Sequence, residues 1–488
     1  MVDKLFKTRL FSIIIYGLVL LTIVKIVATI FTSPLIGYAN NCDFVRQSSC
    51  IGIWQSYQDK PKTSGNPEAP VNSLIYDGLK DNGSCLSSID NIFPWIAKQF
   101  HEIGDRVDFR EISFWKISLL LSGFLFLLYT LAEKTNKLAV SLVFFLVFGD
   151  IANLLYANTL YSEFSVISGC FFALFSTIFL ILSKSKNITI FIFATISVIW
   201  LGLSKQQYMP LAVILGFICS VTLIMTWREK KFAIAFFLIS IAIPFGYAQM
   251  NRDDGNMWSI NFANKTDTFL GAVLPEATNK ESALSILGLP RECIRGIGKH
   301  WYSPEVQQNH PCPEVQKLSR AKLIKLFISD PSTFIEPMHK ATIGILPFYP
   351  SYLGHLENAM DSNSETYLLL KKSSLSYALA KMTKDVFYAF VVSSIFLGLP
   401  LLIMGAALKT IDSCNRLFLM MIGLGSFVIL YSISSSVFGD GYQELQKHAV
   451  GVLIGIAFQV SGAALALISF GLSDLRICCQ KVIASVKG

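Results

Sequence analysis

Apolar and polar positions alternate on a long scale in this chain. Ten apolar stretches fall near Leu10–Ser33, Phe114–Ala132, Leu138–Asn153, Phe164–Ser183, Ile188–Leu203, Pro210–Trp227, Phe232–Gln249, Phe387–Leu408, Leu417–Phe438 and Val450–Leu472. A helix needs roughly 20 apolar residues to cross a hydrocarbon core, and most of these stretches suffice. The third and fifth are short, which predicts helices that tilt or unwind at the outer face. Two long polar segments, 34–113 and 250–386, interrupt the series. In the first, Ile92, Ile96, Phe100, Ile103 and Val107 recur at helical spacing, with Lys98, Glu102 and Asp105 on other faces. That pattern predicts an amphipathic helix along the membrane surface. In the second, Leu318, Ala321, Ile324 and Phe327 form one stripe, and Pro331, Pro337, Pro347 and Pro350 punctuate the residues after it. A small, mainly helical outer domain is expected there. The units are therefore a first helix (1–33), an outer loop (34–113), a bundle with short loops (114–249), an outer domain (250–386) and C-terminal helices with a cytoplasmic tail (387–488).

Charge sets the orientation. Lys4, Lys7 and Arg9; Lys134 and Lys137; Lys184 and Lys186; Arg228, Lys230 and Lys231; Lys409 and Arg416; and Arg476, Lys481 and Lys487 all fall on one side of the predicted helices. Basic loops stay cytoplasmic, so both termini are expected inside, and both long polar segments and all six histidines outside. Of 488 residues 53% are hydrophobic and only 15% charged, and a soluble domain carries about 25% charged residues. The net charge of +8 reflects topology and does not argue for nucleic-acid binding. Of ten cysteines, Cys42, Cys50, Cys85, Cys293 and Cys312 are placed outside, where disulfides form. Cys293 and Cys312 flank a turn-rich segment and are expected to pair. Cys42 is open to pairing with Cys50 or with Cys85. No cysteine or histidine spacing suggests zinc.

The candidate chemistry lies in short outer connections. Between the third and fourth helices, Asp150, Asn153, Tyr156, Tyr161 and Glu163 crowd an outer membrane boundary, with Asp150, Asn153 and Tyr156 on one face if helical. Ionisable groups at such depth tend to line water-filled or substrate-filled cavities. Between the fifth and sixth, Lys205 breaks the charge rule beside Gln206, Gln207 and Tyr208. A lysine there can neutralise a phosphate, or it simply snorkels. In the last outer loop, Asp440 reads as a helix N-cap. Glu444 and His448 are four apart on one helix face, and Lys447 is free to turn toward a lipid headgroup. In the first loop, Asp43 follows two asparagines and Asp90 competes with it for the role of base. Lys25, inside the first span, either snorkels or pairs with an inward carboxylate.

A first helix, a long outer loop and short outer connections bearing an acidic-aromatic motif and a lysine motif resemble the GT-C class of membrane glycosyltransferases. Within that class the chain resembles the serotype-converting O-antigen glucosyltransferases. The stretch from Asp150 to Glu163, the segment from Ser204 to Tyr208, the loop from Asp440 to His448, and Val273-Leu-Pro-Glu276 followed by Leu287-Gly-Leu-Pro290 carry the resemblance. It implies an all-α, GT-C-like bundle of about ten helices in the bacterial inner membrane, with its active site on the periplasmic face. It implies a sugar, glucosyl by that resemblance, moved from a polyprenyl phosphate to a lipid-linked or polymeric O-antigen glycan. A carboxylate base is implied, with Asp43, Asp90, Asp150 and Glu163 as the acids to consider. For the donor phosphate the expected residues are Lys205, Gln206, Arg252 and Lys447. For the substrates they are Asn153, Tyr156, Tyr161, Gln207, Tyr208, Glu444 and His448. No organic cofactor is required, and a divalent cation stays open. Membrane lipid is the remaining partner. An O-antigen polymerase, which would lean on outer arginines, and a transporter or flippase, which would carry mid-membrane charges, are the alternative readings.

Overall fold

The computed structural model describes residues 2–55, 68–81, 85–183, 187–227, 230–250, 255–350, 352–357, 364–408 and 410–487. Its helices in chain order are α1 (Val2–Phe31), α2 (Cys42–Ile51), α3 (Ile92–Ala97), α4 (Phe109–Thr130), α5 (Lys134–Phe148), α6 (Ile151–Leu154) and α7 (Glu163–Leu182). There follow α8 (Ile188–Ser204), α9 (Met209–Thr222), α10 (Lys230–Met250), α11 (Gly255–Thr266), α12 (Lys280–Leu287), α13 (Pro304–Gln308) and α14 (Lys322–Ser329). The rest are α15 (Ser332–Gly344), α16 (Glu365–Lys372), α17 (Leu375–Ala380), α18 (Lys384–Ala407), α19 (Ser413–Asp440), α20 (Leu445–His448) and α21 (Val450–Lys487). Among the described residues eight helices are long and apolar enough to cross a membrane. The third and fifth expected spans become α5, of 15 residues, and α8, of 17. The protein is an all-α membrane protein whose α19 packs between α18 and α21, and whose α7 lies against α8, α9, α19 and α21.

The first outer segment differs from the surface helix read from its periodicity. Strands β1 (Ile53–Trp54), β2 (Ser73–Tyr76) and β3 (Arg106–Asp108) form an antiparallel sheet in that order. Val107, the last member of the expected stripe, is a buried strand residue. The helix is only Ile92–Ala97 with a further 3₁₀ turn, and the backbone turns extended at His101 (φ −127°, ψ 150°) before the Gly104 turn at φ 106°. Ile92, Trp95, Phe100 and Ile103 stay exposed. Cys50 is bonded to Cys85, which corrects both pairings considered for Cys42. Cys42 and Cys50 stand at opposite ends of α2, eight residues or roughly 12 Å apart along its axis, beyond disulfide reach.

The second outer segment has its own core of Phe269, Leu270, Leu274, Leu284, Leu287 and Val315, with Cys293 bonded to Cys312 inside it. The stripe read along Leu318–Phe327 splits in two. Leu318 is buried in this domain, while Ile324 and Phe327 turn onto a cleft between the domain and the bundle, and the buried residues of α14 are Leu323 and Leu326, outside the stripe. Arg320 ties the domain to the bundle by donating to the carbonyls of Phe438 (3.2 Å) and Gly439 (2.7 Å) at the end of α19.

Candidate active site

A cavity of about 660 Å³ opens between the first long polar segment, the short connections of the bundle and the second long polar segment. Each element brings one functional side chain for a local reason. Asn41 caps α2 by accepting from Asp43 N (3.0 Å), which starts the helix with Asp43 and Arg46 on one face, i and i+3. Glu163 begins α7, where a carboxylate suits the positive end of the helix dipole. Lys205 sits in extended backbone between α8 and a 3₁₀ turn. Glu444 precedes α20 in the left-handed region (φ 50°), a costly conformation for a residue with a Cβ and one that concentrates at functional sites.

These groups form two linked ion clusters. Lys447 Nζ contacts Asp43 Oδ2 and lies 3.1 Å from Glu444 Oε2, and it sits over the Tyr161 ring at 4.6 Å. Arg46 pairs with the other Asp43 oxygen at 2.7 Å. Burial would raise the Asp43 carboxyl, but the charges of Lys447 and Arg46 outweigh it and hold it well below the usual carboxylate range. Burial would likewise lower the Lys447 ammonium, but Asp43, Glu444 and Glu163 keep it well above its usual range. In the second cluster Lys205 Nζ donates to Glu163 Oε1 (2.6 Å) and to His448 Nδ1 (3.1 Å). His448 Nε2 lies 3.0 Å from Asp440 and 3.6 Å from Glu444. The His448 Nδ1 also faces Gln207 Oε1 at 3.2 Å. Gln207 braces this cluster through Ser435, Ser436 and His448 O, and the Tyr208 hydroxyl donates to His448 O (3.1 Å). Gln206 lines the cavity beside them. The opposite wall is apolar, made by Met257, Ile260, Leu323, Ile324, Phe327 and Phe438.

Several expected residues lie elsewhere. Asp150 is not in the cleft. It caps α6 through Ala152 N (2.9 Å) and accepts from Ser376 N (2.7 Å) and Ser376 Oγ (2.6 Å), which fastens α6 to α17. The expected helix face of Asp150, Asn153 and Tyr156 fails because α6 is only four residues long. Asn153 donates to Val147 O (2.9 Å), and Tyr156 packs on Tyr38 with ring centroids 4.5 Å apart. Asp90 is sealed behind the cleft, 1% exposed, against Lys116 (2.8 Å) and Ser165 (2.7 Å). Lys25 donates to Ser373 O at 2.9 Å. Arg252 lies outside the described residues. Asp440 ends α19 instead of capping a helix start.

Sequence reasoning missed Arg46, Lys116, Asn264 and Arg320. The Asp43–Arg46 spacing was a signal that could have found the first. Asn264, with its amide nitrogen toward Asp440, donates to it at 2.7 Å, a tertiary contact that no local pattern announces. The open question of a divalent cation meets a chemical obstacle. Asp43, Glu163, Asp440 and Glu444 are each paired with a lysine, arginine or histidine, so a divalent cation would have to displace those partners. The only three-residue group of metal-ligand type among the described residues includes the bonded Cys293 and Cys312, whose sulfurs are not thiolates.

No curated protein and no solved structure matches the chain significantly. Residues 2–463 match the family described as the YfdI N-terminal transmembrane domain, and this multi-pass membrane protein belongs to that family.

Proposed function

We propose that the protein is a GT-C-class glycosyltransferase. It moves a sugar from a polyprenyl-phosphate donor to an O-antigen or related glycan at the periplasmic face of the inner membrane. Membership of the family described as the YfdI N-terminal transmembrane domain supports a multi-pass membrane protein in which such chemistry takes place. The observation that carries it is one cavity in which an apolar wall faces Lys205, Lys447 and the carboxylates they hold. The wall suits an isoprenoid tail, the ammonium groups suit its phosphate, and a carboxylate suits an acceptor hydroxyl.

In this mechanism Asp43 is the general base. In the resting cleft it is a poor one, because Lys447 and Arg46 stabilise its anion. A donor phosphate competes for Lys447, and each interaction the carboxylate loses raises its basicity. Asp43 then takes the acceptor proton as the acceptor oxygen bonds to the anomeric carbon. The bond from that carbon to the phosphate oxygen breaks, and the leaving phosphate keeps the electron pair, neutralised by Lys447 and Lys205. A single displacement inverts the anomeric centre. Glu163 and His448 hold Lys205 in place.

The test is transfer from a radiolabelled polyprenyl-phosphate glucose in membranes containing the Asp43→Asn variant. Loss of transfer with donor binding retained is expected. Turnover near that of the parent protein would remove Asp43 from the chemistry and this mechanism with it.

A further inference from the structure

A second cavity, of about 380 Å³, lies apart from the cleft and is lined by Pro347, Tyr349, His355, Lys371, Tyr377 and Lys381, among others. Its cations lack the carboxylate partners that Arg46, Lys205 and Lys447 have in the cleft. Lys371 Nζ lies over the Tyr349 ring (5.2 Å) and the Tyr367 ring (5.6 Å), and Lys381 Nζ over Tyr377 (4.7 Å). Neither has a carboxylate within ion-pair distance among the described residues. A ring face attracts an ammonium but leaves its three N–H donors for another acceptor. The buried His355 adds a further unused atom. Its Nδ1 lies 2.6 Å from the Tyr367 hydroxyl, while Nε2 has no hydrogen-bond partner among the described residues. Asp150, whose charge acts on Tyr349 of the pocket, spends both oxygens on Ser376 and Ala152.

The position is as informative as the donors. Lys25, six residues before the end of α1, donates to Ser373 O between α16 and α17, so this turn packs beside the last turns of the first span. α18 enters its apolar span just past Lys381. The pocket therefore lies near the ends of the apolar spans of α1 and α18. Lys371, Lys372, Lys381 and Lys384 cluster on the same side as the cleft, against the charge rule that orders the other loops. One segment joins the two cavities. Residues 352–357 hydrogen-bond to the chain after α1 through Gly37 N to His355 O (3.0 Å) and Ala39 N to Gly354 O (2.9 Å). Tyr352 of that segment engages Glu444 of the cleft.

We propose that this pocket binds the phosphate of an outer-leaflet lipid, held by Lys371 and Lys381, at a site separate from the cleft. The chemistry is shared by a phospholipid headgroup and an isoprenoid phosphate. The proposal stands whether or not the protein transfers sugars.

The experiment is native mass spectrometry of the full chain in detergent, titrated separately with phosphatidylglycerol, undecaprenyl phosphate, phosphatidylcholine and inorganic phosphate. Phosphatidylglycerol retention above that of phosphatidylcholine is expected, falling about tenfold or more in the Lys371→Gln, Lys381→Gln double variant. The Lys371→Arg, Lys381→Arg variant should recover it, which separates lost charge from a lost fold. The Lys205→Met variant should retain phosphatidylglycerol, which separates this pocket from the cleft. Retention of undecaprenyl phosphate alone, lost in the glutamine variant and kept in Lys205→Met, would support the isoprenoid source. Equal retention by parent and glutamine variant would overturn the proposal, as would binding of inorganic phosphate without either lipid.

Discussion

Asp90 and Lys116 offer the sharpest test of how charge is used in this fold. Asp90 is 1% exposed and Lys116 0%, with 2.8 Å between Asp90 Oδ2 and Lys116 Nζ. Lys116 also donates to Thr159 O (2.8 Å), and Asp90 accepts from Ser165 Oγ (2.7 Å). At an effective dielectric constant of about 20, two charges at that distance attract by roughly 6 kcal/mol. Desolvation costs several kcal/mol per ion, so the intact pair contributes little net stability. Removing one partner is different, because it strands the other charge and costs about 3–5 kcal/mol. Asp90→Ala and Lys116→Met should each lower the unfolding midpoint sharply at a fixed heating rate in detergent. The Asp90→Leu, Lys116→Met double variant should lie close to the parent protein. It should also keep sugar transfer, because the pair positions the turn before Glu163 and touches no substrate. A double variant as unstable as either single one would refute the energetic reasoning. A stable double variant without transfer would return Asp90 to the list of bases.

Lys205→Met should abolish transfer while the protein still folds, since Lys205 is 21% exposed and lines the cleft; near-normal turnover by the same radiolabel assay would reduce it to a brace for Glu163. Asp267 is pushed up to about 7, by burial first and the Asp440 charge after it, against the Trp301 N–H that donates to it. The folded chain therefore holds a proton there that the unfolded chain loses near pH 4, so stability should fall as pH rises from about 4 to 7 and level off above. Asp267→Asn should flatten that slope in melts across the range, and an unchanged slope would assign it to other groups. Replacing Cys293 and Cys312 by serine opens a loop of 19 residues and should cost about 3 kcal/mol, seen as faster proteolysis of the second outer domain.

The helices were legible because a bilayer demands long apolar runs, and only α5 and α8 fell short of a full span. The cleft was legible in part. Lys205, Glu163, Lys447, Glu444 and His448 stand at helix junctions where charge is costly, and those junctions share one cavity wall or touch it. Asp150 stands at a junction too, yet its oxygens serve Ser376, more than 200 positions later in the chain. A capping carboxylate and a catalytic one look alike until the partner is known. The surface helix failed for a local reason. The period continued past His101, but the backbone there is already extended (φ −127°, ψ 150°), and Val107 was claimed by a strand. The same holds for α14, where one stripe hid two faces with different neighbours.

The pairing of charges in the cleft has a consequence for how a substrate arrives. Arg46, Lys205, Arg320 and Lys447 are opposed by Asp43, Glu163, Asp440 and Glu444, four against four. Within the mouth these charges nearly cancel, so the cleft itself adds little electrostatic steering for an anionic ligand. Capture then depends on the apolar wall and on lateral diffusion within the leaflet. Encounter rates should change little with ionic strength, whereas affinity after contact should reflect how readily the internal pairs exchange partners. A protein arranged this way screens its visitors by hydrophobicity first and by charge second.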